Sequence, residues 1–228
     1  MQEIEDWEKV LRAAAELQEI VPGAVLVGGT AAAVHARHRI SLDANHVLTD
    51  LPERFEALIA FLEGKPEWTT ERLQPPVMVL GRFLGVETGI RQLRRSRPLE
   101  TTEVAFQEKV VLVPTPEEML RVKGWLALTR NALRDYIDTA ALSGFLGKER
   151  SEEALRDFDD CYRDIYRGGE VSPLLQLARQ LAEPIPYDLE DIDIKNYKGI
   201  VAPWDEWENI KKQCEKLSLW ITEIIANQ

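Results

Sequence analysis

A short apolar run, Ala24 to Val27, ends in Gly28-Gly29-Thr30 and passes straight into Ala31-Ala32-Ala33-Val34-His35. This arrangement limits the fold more than any other feature of the chain. An extended run broken by two glycines and followed by strong helix formers makes a strand–turn–helix unit. Such a turn leaves the first N–H groups of the helix bare, their dipole favours an anion, and glycines let a phosphate come close. Thr30 can cap the helix or touch that phosphate. A tight structural turn accounts for the same residues. Neither G-x-G-x-x-G nor G-x-x-x-x-G-K-[ST] is present, so dinucleotide and P-loop binding are not indicated.

The flanking segments extend the pattern. Ile4, Trp7, Val10, Leu11, Ala14, Leu17 and Ile20 recur at helical spacing, and Pro22-Gly23 ends that helix. Residues 39–48 alternate as a strand, with Ile40, Leu42, Ala44 and His46 on one face and Arg39, Ser41, Asp43 and Asn45 on the other. Pro52 opens a helix with Phe55, Leu58, Ile59 and Leu62 as its apolar stripe. Residues 77–93 read as a hairpin and 104–113 as one further strand. Thr115-Pro116-Glu117-Glu118 then announces a helix, with Thr115 as cap. Helices are expected over 116–130, 131–145, 151–166, 171–182 and 204–226, and a long irregular connection over 184–203. The predicted class is therefore α+β with α/β-type order at the start. It comprises a small mixed sheet with flanking helices in residues 1–114 and a helical subdomain in 115–228.

Charge narrows the function. The chain is acidic, with 28 Lys+Arg against 39 Asp+Glu and a net charge of −11. The stretch 77–134 is the exception, with 10 basic and 6 acidic residues. General DNA binding is not expected of such a chain, although the basic stretch could hold a phosphate-bearing ligand or simply be a solvated face. No apolar run reaches the ~18 residues of a membrane span. The start, MQEIEDWEKV, lacks a basic segment followed by an apolar one, and the two cysteines lack metal spacing. A cytoplasmic location without membrane contact is the expectation.

Several residues could carry chemistry. On a strand, Ser41, Asp43 and Asn45 share a face, and oxygens two residues apart can share a hard cation such as Mg²⁺. Metal-bridged phosphates are what nucleotidyl transfer requires. A polar, solvent-facing strand explains the pattern equally. His35, His38 and His46 cluster in sequence, but His-x-x-His without a third ligand is a weak metal signal. Arg91, Arg94, Arg95 and Arg97 are a basic run that could attract phosphates or be solvated. Lys123 and Arg130 share a helix face, as do Asp135 and Asp138. An ion-pair network would account for all four, and so would a phosphate-binding lysine with a paired aspartate.

Three blocks in order resemble the AbiEii/AbiGii-type toxin nucleotidyltransferases of the polymerase-β-like superfamily. VLVGGTAAAVHARHRISLDAN (residues 25–45) is similar to the family's strand, glycine turn, helix and "hR-x-S-x-D-x-D" strand. Glu87 in GVETGI is the best match to its third carboxylate. PTPEEMLRVKGWLALTRNALRDYIDTAAL (residues 114–142) is similar to its "K…R…RDyiDl" block. The resemblance implies a nucleotidyltransferase fold and transfer of a nucleotide from an NTP, with Mg²⁺ or Mn²⁺, to tRNA, another RNA or a protein. It also implies a cognate antitoxin. Carried over, Gly28, Gly29 and Thr30 meet the triphosphate, with Ser41 and Arg39 alongside. Asp43, Asn45 and Glu87 stand at the metal positions, and Lys123 binds phosphates. Asp135 acts as a base or as the partner of Lys123. The chain departs from the pattern at Asn45, where the family has a second carboxylate, and at Glu87, where it has Asp. An amide offers the ion an oxygen but no charge. A non-catalytic nucleotide- or partner-binding protein with the same fold is the alternative.

Overall fold

The computed structural model describes residues 2–227. Contacts divide the chain into two compact units. Unit 1 holds the residues up to Ala31, together with Ser41–Arg94 and Pro98–Pro114, and unit 2 holds Ala32–Ile40, Arg95–Arg97 and the chain from Thr115 onward.

Unit 1 is built on a five-stranded mixed sheet. Helix α1 (Gln2–Ile20) ends at Pro22-Gly23, and β1 (Val25–Val27) leads into α2 (Gly28–Ala36), whose first turn lies in this unit. β2 (Asp43–Leu48) and α3 (Leu51–Glu63) follow, and then β3 (Trp68–Gln74), β4 (Met78–Phe83) and β5 (Val86–Gln92). The spatial order is β1-β2-β5-β4-β3, with β2 and β5 parallel and the other pairs antiparallel. The parallel pair is possible because α3 and the β3–β4 meander supply the long crossover it needs. Leu17, Leu26, Leu48, Leu62 and Ile90 are fully buried, each contributing about 2 kcal/mol of apolar transfer. β6 (Thr101–Phe106) and β7 (Lys109–Pro114) form a separate hairpin. Gln18 of α1 reads the edge of β7, donating to Leu112 O at 2.8 Å and accepting from Leu112 N at 2.8 Å.

Unit 2 is helical. α4 (Pro116–Arg130) begins as its residues predict: Thr115 Oγ1 accepts from Glu118 N at 3.2 Å and Pro116 sits in the first turn. It ends on Asn131 in the left-handed region. α5 (Leu133–Arg156) runs through Gly147, whose φ of 75° kinks it. α6 (Phe158–Tyr162), α7 (Pro173–Ala182) and α8 (Trp207–Ala226) complete the bundle, around Leu133, Tyr136, Ile137, Phe158 and Leu177.

Several expectations need correction. Residues 39–42 are not strand, since β2 starts at Asp43; the alternation is obeyed only from there, and Leu42, expected on the apolar face, is 48% exposed. The run 104–113 is two strands, because Gln107 takes a positive φ and turns the chain. β3 was not expected: TTERLQ has little apolar alternation and, Trp68 aside, the strand shows mostly exposed side chains. Helices expected at 131–145 and 151–166 are one kinked helix followed by a short one. The connection 184–203 is irregular, as expected, with a single 3-10 turn at Ile194–Asn196.

Candidate nucleotide and metal site

The structure gathers the sequence candidates into two groups, one in each unit. In unit 1 the glycine turn meets β2, and β2 pairs with β5. Gly28 opens α2 with a φ of +78°, a conformation costly for any residue with a Cβ. The hydroxyl of Thr30 is fully buried and donates to the carbonyl of Asp43 at 2.6 Å. Its role is to tie the first turn of α2 to the start of β2. Asp43 and Glu87 are Cα partners across the parallel pair, so both belong to the same face of the sheet. Ser41 Oγ donates to Asp43 Oδ1 and Asn45 Nδ2 donates to Asp43 Oδ2. Glu87 is exposed and Asp43 partly so.

Opposite them on β2, His46 is fully buried. Burial pushes its imidazole pKa down to about 4, against hydrogen bonds with the backbone of Ala44 and Ala14. Its Nδ1 lies 3.2 Å from the Ala44 carbonyl. A neutral core histidine fits these facts.

In unit 2 the centre is Asp138, which is fully buried on α5. Arg39 grips it with Nε at 2.8 Å from Oδ1 and Nη2 at 3.0 Å from Oδ2. His38 Nε2 donates to Oδ1 at 2.7 Å, and Lys123 Nζ lies 2.6 Å from Oδ2. Lys123 also reaches Asp135 Oδ1 at 3.1 Å and is itself 3% exposed. Burial alone would push the Asp138 carboxyl up, but Arg39 first, then Lys123 and His38, hold it well below the usual carboxylate range. The ion-pair account of Lys123, Asp135 and Asp138 is therefore realised. Arg130 is exposed, and Arg39 and His38 take part in its place.

The segment 38–40 is also held through its backbone. Ile40 N donates to Lys198 O at 2.7 Å and Val201 N donates to His38 O at 3.0 Å. Gly199 permits this approach, since a Cβ there would come within 2.7 Å of Ile40. The Arg39 guanidinium lies 5.6 Å from the centre of the Tyr197 ring. Asp188, from the same connection, caps α5 by accepting from Leu133 N at 2.7 Å. Sequence reasoning assigned no role to this stretch, and its only local signal was an aromatic beside a glycine in Tyr197-Lys198-Gly199. Of the basic run, Arg95 is buried against Glu118 at 2.5 Å, so it is a structural arginine. Among the described residues no group of three or more His, Cys, Asp or Glu converges as a metal site. Asp43 and Glu87 supply two carboxylates, and Asn45 is an amide.

Across all of its length the chain is similar to the crystal structure of a candidate nucleotidyltransferase from H. pylori, with a TM-score of 0.57 at 13% identity over 98% of that chain. The chain has a nucleotidyltransferase fold. At that identity the likeness concerns the fold alone. No protein-family model matches the chain. Among curated proteins it is 34% identical over 131 residues to the heme uptake protein MmpL11 of Mycobacterium tuberculosis, covering 57% of this chain and 13% of that protein. It is 29% identical over 171 residues to the mycolic acid-containing lipids exporter MmpL11 of Mycolicibacterium smegmatis, covering 70% of this chain and 17% of that one. The chain thus spans less than a fifth of the length of these relatives. Among the described residues no helix is long and apolar enough to cross a membrane. In this version of the nucleotidyltransferase fold, a neutral amide stands beside Asp43.

Proposed function

We propose that this chain is a nucleotidyltransferase-like protein that binds an NTP with a divalent cation, Mg²⁺ or Mn²⁺. The reading rests on one observation: Asp43 and Glu87 face the same side of a parallel strand pair, and Thr30 ties Asp43 to the glycine turn that opens α2. The bare N–H groups of that turn would receive phosphate oxygens. Asp43 and Glu87 would hold the cation, whose contribution is to neutralise charge on the phosphates. Arg39, Lys123 and Asp135 contribute through the buried network around Asp138. For Lys123 this means shaping unit 2 rather than reaching out to a phosphate, because its ammonium is committed to two carboxylates. The acceptor is an RNA, tRNA included, or a protein. A toxin paired with an antitoxin and acting in the cytoplasm is the finer form of the same reading.

Calorimetry with Mg²⁺ and each NTP is the direct test, with binding expected at millimolar concentrations or below. No heat with any NTP would end this reading. Labelled NTP incubated with total RNA then asks about transfer. Asn45 favours a second reading, nucleotide binding without transfer, which would appear as clear binding and no labelled product.

A further inference from the structure

Asn45 occupies the place where a second carboxylate is expected, and its surroundings fix which way the amide points. Nδ2 donates to Asp43 Oδ2, while Ser41 Oγ donates to Oδ1. The Asn45 Oδ1 lies over Gly89, so near that a Cβ at that position would overlap it. On the other side is Gly28, whose Cβ position would stand 3.8 Å from Nδ2. Gly89 of β5 thus leaves the room that the amide oxygen fills, and Gly28 of the turn leaves the other side uncrowded. Turning the amide over would give up the bond to Asp43 and leave two facing oxygens in its place.

Held this way, Asn45 is a donor and offers no oxygen toward Asp43. A carboxylate accepts at about four lone-pair positions. Two of those on Asp43 have protein donors, which leaves one open on each oxygen. The parallel register brings Glu87 to the same face, on an exposed side chain able to turn toward a cation. Two carboxylates balance the charge of one dication, whereas a third would call for another.

We propose that Asn45 is a positioning residue that orients the Asp43 carboxylate before any cation arrives. The site then takes one divalent cation per chain, through Asp43 and Glu87, rather than two. This rests on the nucleotide-binding reading above for the ion's phosphate partners, but not for the ion count.

The test is Mn²⁺ binding followed by electron paramagnetic resonance, with Mn²⁺ alone and with Mn²⁺ plus a non-hydrolysable ATP analogue, circular dichroism confirming that each variant is folded. The expected results are one Mn²⁺ per wild-type chain and two per Asn45→Asp chain. Glu87→Gln, on an exposed position, should bind Mn²⁺ about tenfold more weakly. Two Mn²⁺ in the wild type would overturn the proposal, as would Asn45→Asp staying at one. Glu87→Gln binding as tightly as wild type would remove Glu87 from the site. One Mn²⁺ bound with no affinity for the analogue would sink the nucleotide reading and leave the ion assignment standing. No Mn²⁺ bound by either form would sink the ion assignment, whatever the nucleotide does.

Discussion

The hydroxyl of the fully buried Thr30 donates to the backbone carbonyl of Asp43 at 2.6 Å. One hydrogen bond thereby joins the glycine turn to the strand that carries the candidate metal ligand. A residue that the sequence suggests as a helix cap or phosphate contact also braces the two elements of the candidate site.

Thr30→Ala should leave that carbonyl unsatisfied and cost about 1–3 kcal/mol. Thr30→Ser keeps the hydroxyl and should lose less than half as much. Urea unfolding of the three proteins measures both, and equal losses in the two variants would refute the brace.

Asp138 is the sole carboxylate gripped by Arg39, Lys123 and His38 together among the described residues. Replacing it strands buried cations, so Asp138→Ala should destabilise by about 3–5 kcal/mol. Combining Asp138→Ala with Lys123→Met removes one stranded charge, and the double variant should be more stable than the Asp138→Ala single variant. Additive losses in a double-mutant cycle would show that the pair is not coupled.

His46 gives a pH dependence of known sign. Its pKa is about 4 in the folded chain, against about 6.5 unfolded. Between those values the unfolded chain binds the extra proton, so the stabilisation is fully present above pH 6.5 and is lost as pH falls. From pH 6.5 to 5 the loss should be roughly 2 kcal/mol at 1.36 kcal/mol per unit. Urea midpoints at pH 7, 6 and 5 test it, with His46→Leu expected to flatten the slope.

Gly89→Ala places a Cβ on Asn45 Oδ1 and 3.1 Å from Leu80 Cδ2. The strand cannot yield without losing its register with β2, so Asn45 must move. A stability loss of about 1–3 kcal/mol is expected. Mn²⁺ affinity should change with it, because Asp43 loses its donor. Unaltered affinity in a folded variant would show that the amide does not orient Asp43.

Local chemistry wrote part of this molecule into the sequence. The glycine turn, the Thr115–Pro116 helix start and the period of α1 depend on neighbours within a few residues, and each is found where those residues predict. The pairing of Asp43 with Glu87 could be proposed only from a motif, because the register of a parallel pair is set by a crossover of some forty residues and not by either strand. Strand β3 was invisible for a similar reason: its backbone is recruited by β4, while its side chains carry no buried alternation. The role of Lys123 also lay beyond the sequence. Its spacing allows a phosphate contact or an ion pair, and only the burial of Asp135 and Asp138 around it favours the second. The sequence by itself determined that a helix opening on two glycines follows β1 and that Asn45 carries no charge. The tertiary structure decided what surrounds that amide: the pairing of β2 with β5 sets Gly89 beside Asn45 and leaves room for its oxygen, and a register between strands far apart in the chain has no signature in local sequence.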